Sequence, residues 1–280
     1  MSRKEKMKLI QEGKRKNLWT SDDSERYIIE FKDVVYDERK EESYHASKKG
    51  FYSAKISERL FDFLDGFLVN THCIHYVEDS RLLVHKCKSI PLIFNIYNNA
   101  MPWIAERTGN VENERLTTFI LDTHYHDKAG SQALLSDTEI ETLRFFKDIP
   151  FTSIKQLLAK VNVVLQSYFN RRGIELMYVK LEIGLLDDKP VLIDELSPDV
   201  MILRWKDTGR FLGKYAVQMG GKDGLASYEE LYQIIFPDVF QPVFERIKVL
   251  DDGLIGRDAI KEFEDEFEAD LDGDADMEGD

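Results

Sequence analysis

The chain has little cysteine and little proline, with two and seven residues in 280. Cys73 and Cys87 have neither the density of a disulfide framework nor the paired spacing of a zinc site, so both read as buried free thiols. No apolar run approaches the roughly 20 residues that span a bilayer, and MSRKEKMKLI is basic without the apolar stretch of a secretory signal. Together these absences predict a cytoplasmic protein without membrane contact. Walker loops and Gly-x-Ser-x-Gly elbows are also absent, which removes the two commonest short signatures of nucleotide and acyl chemistry.

Positive charge is scarce as well: 38 bases face 52 acids, for a net charge of -14. The imbalance is local. From Glu262 onward the chain carries eleven acidic residues and no base, leaving only -3 on residues 1–261. Such a tail cannot bury enough apolar surface to offset its ordering entropy, so residues 251–280 read as a disordered acidic segment, free to contact a basic partner. Its Asp-x-Asp-x-Asp run at 270–274 is not a calcium loop, because Ala275 stands where the sharp turn needs glycine. The body is nearly neutral, and nucleic acid is not an expected partner.

What the chain does have is 43 % hydrophobic residues, enough for a substantial core. Lys8–Ile10, Asn17–Trp19, Tyr27–Phe31, Cys73–Val77 and Leu82–Lys86 have strand length and composition, interrupted by a helix at Tyr52–Leu64 that Gly66 stops. Further on, SIKQLLAKVNVVLQSYFNRRG predicts a long helix opened by a Ser153–Gln156 capping box and closed by Gly173. Two β-rich runs around Asp187-Asp188-Lys189-Pro190 read as a hairpin, and a last helix opens near Ser227 with a capping box to Glu230. The division this implies is a β-rich lobe over residues 1–88, an α/β lobe over 89–250, and the tail.

Chemistry concentrates on the predicted hairpin. Lys180 and Glu182, two apart on one strand, share a face, and Asp194 with Glu195 on the next strand can meet them. Two carboxylates beside a lysine suit a magnesium–triphosphate site, with hard oxygen ligands for the metal and an ammonium for phosphate charge. A solvated surface ion pair would give the same pattern. In "QEGKRKNLW" a glycine precedes three bases, which is either a phosphate-gripping turn or simply a basic turn. His124 and His126 would share a face beside Asp127 if extended, while His72 and His75 read as structural.

The order GKRKNLW, IEFKD, KKGFYSAKISERLF, FLVNTHCI, VKLEIG and IDELSPD, over roughly residues 8 to 236, resembles the SAICAR synthetases of purine biosynthesis. The resemblance implies a two-lobed α+β fold related to ATP-grasp proteins, with ATP in the cleft between a β-rich N-terminal lobe and an α/β C-terminal lobe. It implies an ATP-dependent ligase that activates the carboxylate of carboxyaminoimidazole ribotide, as an acyl phosphate, for displacement by the amine of aspartate. By the same resemblance Gly13, Lys14 and Lys16 cover the triphosphate, Lys86 opens the hinge that meets adenine, Lys180 and Asp127 act in catalysis, and Glu182 and Asp194 hold Mg2+. Asn98, Ser197, Asp199, Arg204 and Arg210 are the residues expected near the acceptor.

Departures from the family pattern cluster in that acceptor region. Ile93 stands at a glutamate position, Tyr97 and Asn99 at arginine positions, Pro102-Trp103 at glycine-serine, Met201-Ile202 at serine-arginine and Leu212 at a later arginine. Tyr178 replaces an aspartate and Lys128 a proline. A ribotide monophosphate carries about two negative charges and favours bidentate guanidinium partners, most of which are missing. Three readings follow: the family reaction with bases such as Arg204, Arg210, Lys128 and Lys214 regrouped; a same-fold ligase with another acceptor; or a non-catalytic nucleotide-binding interaction protein.

Overall fold

A computed structural model describes residues 7–126, 132–142 and 149–237. The chain divides into a unit spanning Met1–Ile235 and a second spanning Phe236–Asp280. Of the second, Phe236 and Pro237 are described, and the predicted acidic tail lies outside the described residues.

The first unit begins with β1 (Leu9–Glu12), β2 (Lys16–Thr20) and β3 (Arg26–Phe31). A small hairpin of β4 (Val34–Asp37) and β5 (Glu42–His45) follows, then α1 (Lys49–Asp65), β6 (Cys73–Val77) and β7 (Arg81–His85). Five of these strands form an antiparallel sheet in the order β1-β2-β3-β7-β6. Helix α1 buries Ile56, Leu60 and Leu64 as the sequence spacing predicts, and Phe61 in place of the expected Phe63, each of the four at most 1 % exposed.

A second sheet follows. It is built from β8 (Lys88–Asn99), β9 (Arg115–His126), β10 (Gln132–Leu135), β11 (Ile174–Leu186), β12 (Lys189–Ile193), β13 (Met201–Trp205) and β14 (Phe211–Leu212). Its order is β10-β9-β8-β11-β13-β14, with β12 also paired to β11. Between strands lie α2 (Pro102–Thr108), α3 (Asp137–Thr142) and α4 (Phe151–Asn170), and the unit closes with α5 (Lys214–Gly220) and α6 (Ala226–Ile235).

Strand β11 is the spine of this sheet. Val179, Leu181 and Ile183 point to a core face where α4 buries Leu158, Val161 and Leu165, while Tyr178, Lys180 and Glu182 point the other way. Full burial of each such leucine or valine stabilises the fold by about 1.5–3 kcal/mol. The two-residue turn Asp187-Asp188 has φ of 51° and 62°, the positive pair that a tight hairpin needs to match strand twist. Opposite the register shift between Glu182 and Gly184, β8 carries Pro91, so the missing N–H falls where the ladder is already interrupted. The two sheets are tied by His72 N–H donating to Leu192 O (2.9 Å) and Leu192 N–H to Asn70 O (3.0 Å).

Two helix starts differ from the sequence expectation. Helix α4 begins at Phe151 after Pro150, so Ser153 lies in its first turn and caps nothing. Ser227 lies inside α6, where its hydroxyl donates to Gly224 O (2.5 Å) and accepts from Gly213 N–H (2.9 Å). Glu230 there pairs with Arg210 and Trp205 rather than closing a capping box. Lys86–Pro91, read as a hinge, runs into β8, whose strand begins at Lys88.

Candidate functional site

The basic turn is shaped by its own backbone. Gly13 N–H donates to Lys16 O at 2.9 Å, and a Cβ at position 13 would stand 2.7 Å from that oxygen, so the turn takes glycine. Lys32 secures it, donating its ammonium to Gly13 O (2.8 Å) and its N–H to Arg15 O (2.8 Å).

Beyond the turn, β2 points Lys16 at the second sheet. Its ammonium pairs with Asp194 and with Glu195 Oε1 (2.9 Å). Asp194 follows the last residue of β12 and holds φ of +73°, a left-handed conformation that glycine, asparagine and aspartate adopt more readily than other residues. On the face of β11 turned away from the core, the Lys180 ammonium lies 3.3 Å from Glu182 Oε1. Thus Lys16, Lys180, Glu182, Asp194 and Glu195, from three separated stretches of chain, gather in one group.

Their ionisation follows from the grouping. Burial works against the Lys16 ammonium, but Asp194, Glu195 and Glu182 outweigh it and raise its pKa. Glu195 is pushed up by burial and pulled further down by Lys16, Arg15, Lys49 and the Ser197 hydroxyl, ending well below the carboxylate range. Glu182 goes the other way: burial and the like charge of Asp194 raise it against Lys180 and Lys16. A carboxylate so placed is relieved by added positive charge, so Glu182 and Asp194 fit a divalent cation, with phosphate oxygens or water completing the shell. Burial holds His72 neutral at a pKa of about 4, where its Nε2 lies 3.1 Å from Asp194 O.

Behind this group stands a buried brace that the sequence reading missed. Lys49, at the start of α1 and 1 % exposed, pairs with Asp199, which also accepts from Tyr228 OH (2.6 Å) and whose N–H donates to Ser197 Oγ (3.1 Å). Ser197 in turn donates to Glu195, and Arg15 donates to Asp199 O (3.2 Å). The chain of contacts runs from Lys16 through Glu195 and Ser197 to Asp199 and Lys49. Lys49 lies in KKGFYSAKISERLF, yet nothing in that string says that its lysine is buried.

The remaining predicted residues lie elsewhere. Lys14 turns away to Tyr36 OH (2.5 Å), and Lys86 lies over the Tyr27 ring, 5.5 Å from its centroid. Ser197 and Asp199 are buried inside the brace rather than open to the cleft. Asn98 is on the core face, donating to Asn162 Oδ1 (2.9 Å) and Leu176 O (3.0 Å). Arg204 pairs with Glu175, and Arg210 with Glu230, so the anticipated regrouping of these bases around one anion is not formed. Lys214 is likewise taken, by Glu38 at 2.5 Å. Asp127 and Lys128 lie outside the described residues, and no cluster of three or more potential metal ligands occurs among the described residues.

Comparison with known proteins converges on one family. The family model for SAICAR synthetase matches residues 9–223. Phosphoribosylaminoimidazole-succinocarboxamide synthase of Synechococcus sp. (strain CC9605) is 31 % identical over 192 residues, covering 68 % of this chain and 77 % of that protein. The enzyme of Desulfitobacterium hafniense (strain Y51) is 29 % identical over 229 residues, covering 82 % and 96 %. Among solved structures, a type-2 SAICAR synthetase in complex with ADP is 28 % identical with a TM-score of 0.75, covering 80 % of this chain and 96 % of that one.

Proposed function

The chain belongs to the SAICAR synthetase family of ATP-dependent carbon–nitrogen ligases in purine biosynthesis, and from that premise we propose that its cleft activates a carboxylate on ATP for capture by an amine. The observation that carries this reading is the convergence of Lys16, Lys180, Glu182 and Asp194 on one face. Residues 1–88 then form the nucleotide-binding lobe and the second sheet supplies the metal and acceptor side. Gly13 and the backbone of its turn cover the triphosphate. Lys16 and Lys180 neutralise its charge as the γ-phosphoryl group moves. Glu182 and Asp194 would hold Mg2+, which supplies further charge neutralisation at the phosphates.

In the first step a carboxylate oxygen of the acceptor attacks the γ-phosphorus, the bond to the β-phosphate oxygen breaks, and ADP leaves. In the second, an amine such as that of aspartate attacks the acyl carbon, phosphate departs and the nitrogen loses a proton. Lys180, paired with Glu182, is the residue we assign to stabilising charge in both steps, and Asp127 is proposed to act with it in catalysis.

The test is ADP release by the purified chain with Mg2+, ATP, aspartate and an aminoimidazole carboxylate, in wild type and Asp194→Asn. Asparagine tolerates the +73° backbone, so the variant removes charge without changing shape. Turnover is expected to fall by about 10²–10³-fold. Wild-type turnover in a folded Asp194→Asn protein would sink the assignment.

A further inference from the structure

Arginine in this chain ordinarily has an acidic partner: seven of the eleven described arginines pair with a carboxylate. Arg59, Arg171 and Arg172 do not, and they stand together. Arg171 and Arg172 follow the last residue of α4, and Arg59 lies on α1, which meets that end of α4 through Phe63 and Tyr168, their ring centroids 4.6 Å apart at 61°. The Arg172 guanidinium sits 3.7 Å over the Tyr168 ring centroid, and Arg59 faces the hydroxyl of the same ring. Burial and the like charges of Arg59 and Arg171 lower the Arg172 pKa, opposed only by the Tyr168 phenol. One bond has a local use, since Arg172 donates to Tyr168 O (2.8 Å) at the helix C-terminus. The acids nearby on α1 do not answer the charge. Glu58 is taken by Lys55 and by Tyr76 N–H, and Asp62, which feels Arg59, forms no ion pair with it.

An apolar strip continues from these charges. Arg59, Phe63 and Phe67 recur every four residues, so they follow one side of α1 and of the turn after it. Phe63 and Phe67 are half-buried, with ring centroids 5.1 Å apart at 55°. Leu68 follows, 85 % exposed and with φ of 57°, in the stretch after a helix where glycine is the residue that avoids the cost of a left-handed backbone. A leucine there carries strain without gaining burial.

Guanidiniums beside exposed rings have the composition of a protein-binding hot spot. In an acidic chain, three cations without acids draw a negative segment, and the strip beside them asks that segment for large apolar side chains. A nucleic-acid backbone answers only half of this, because its charges repeat along a continuous track while these stop at Phe63. We propose that the end of α4 and the adjoining side of α1 form a docking surface for a partner protein, which binds through a short acidic segment carrying large apolar side chains. Its carboxylates take the guanidiniums in two-pronged bonds, and its apolar side chains cover Phe63, Phe67 and Leu68. Arg59 and Phe67 are about 12 Å apart at helical rise, a span of about four extended residues. Lys49, at the start of α1, lies about 15 Å along the helix from Arg59, so the surface is separate from the cleft and independent of the ligase reading.

The experiment measures fluorescence anisotropy of a labelled peptide, Asp-Glu-Asp-Phe-Glu-Glu-Leu-Phe, on the full chain. Two controls accompany it: the same peptide with serine for each phenylalanine and leucine, and a single-stranded oligonucleotide of equal charge. The apolar-bearing peptide is expected to bind saturably, at least ~10-fold tighter than either control. Arg59→Ala combined with Arg171→Ala should weaken it at least ~10-fold. Leu68→Asn, which suits the left-handed backbone, should weaken it at least ~3-fold with thermal stability not lowered. ADP release by both variants should stay within about twofold of wild type, because neither touches the cleft. Absence of saturable binding overturns the proposal, as does equal affinity for the serine peptide, tighter binding of the oligonucleotide, or peptide affinity unchanged in either variant.

Discussion

Around Asp194 the cleft is held by charges, while around Tyr97, on the same sheet face, it is held by rings. In the first region Lys16, Asp194, Glu195, Ser197, Asp199 and Lys49 form a continuous polar chain from β2 to the start of α1. In the second, Tyr97, Ala100, Met101, Ile104, Met177, Ile202 and Tyr215 pack as one apolar cluster, with Tyr178 and Phe211 against it. Charged networks fix positions through direction and are expensive to leave half-made; apolar clusters fix them through volume and tolerate exchange. The difference teaches which region can change without being rebuilt. Charges that bind one another have to stay where they are, whereas a cluster of packed rings can be reshaped one side chain at a time.

The strongest way to break this comparison is to open the charged half from behind. Lys49→Met leaves Asp199 buried with the Tyr228 hydroxyl as its remaining side-chain donor, and removal of one partner from a buried pair costs about 3–5 kcal/mol. Denaturant unfolding measures the loss, and nucleotide affinity should fall with it, because Asp199 is linked through Ser197 to Glu195 and Lys16. Adding Asp199→Asn to Lys49→Met should recover part of the stability, since the uncompensated charge is gone. Equal losses in the single and double variants would show that the brace acts by packing alone.

A smaller effect is expected from Asn98→Ala, behind the aromatic half. The change strands the Asn162 amide, which both donates to and accepts from Asn98, and should cost about 1–3 kcal/mol in denaturant unfolding. ATP affinity should hold. Unchanged stability together with lost turnover would instead return Asn98 to the acceptor site where the sequence first put it.

That reassignment marks where the sequence stopped being legible. The strands of the first sheet, the β11–β12 hairpin and the Lys180–Glu182 pair could be read because each depends on local period and turn chemistry. The family resemblance also pointed correctly to an ATP-dependent ligase of this fold. Asn98 was misplaced because one residue along a strand decides which face a side chain meets, and β8, which contains Pro91, did not read as a strand. Lys49 was missed because a lysine beside glycine ordinarily reads as exposed, and its burial depends on Asp199, 150 residues away. The contact of Tyr97 with Tyr178 needed pairing across β8 and β11, a long-range fact; the sequence had grouped Tyr97 and Trp103 with Phe94, which is fully buried.

The smallest expected effect sharpens the comparison most, because it separates a ring from its hydroxyl. Tyr178→Phe keeps the aromatic surface and removes one bond, from Tyr178 OH to Asn95 Oδ1. The net cost of such a neutral bond is about 1 kcal/mol. Burial raises the pKa of this phenol above its ordinary value, and neighbouring Tyr97 adds to the rise, so the hydroxyl is un-ionised throughout the neutral range. Because neither the folded nor the unfolded chain ionises this group below its ordinary pKa near 10, the variant's loss should be constant from about pH 6 to 9. Unfolding curves of the two proteins at several pH values then run parallel. A gap that widens toward pH 9 would mean that Tyr178 ionises in the folded protein below its ordinary pKa and that this part of the cleft behaves as a charged site after all.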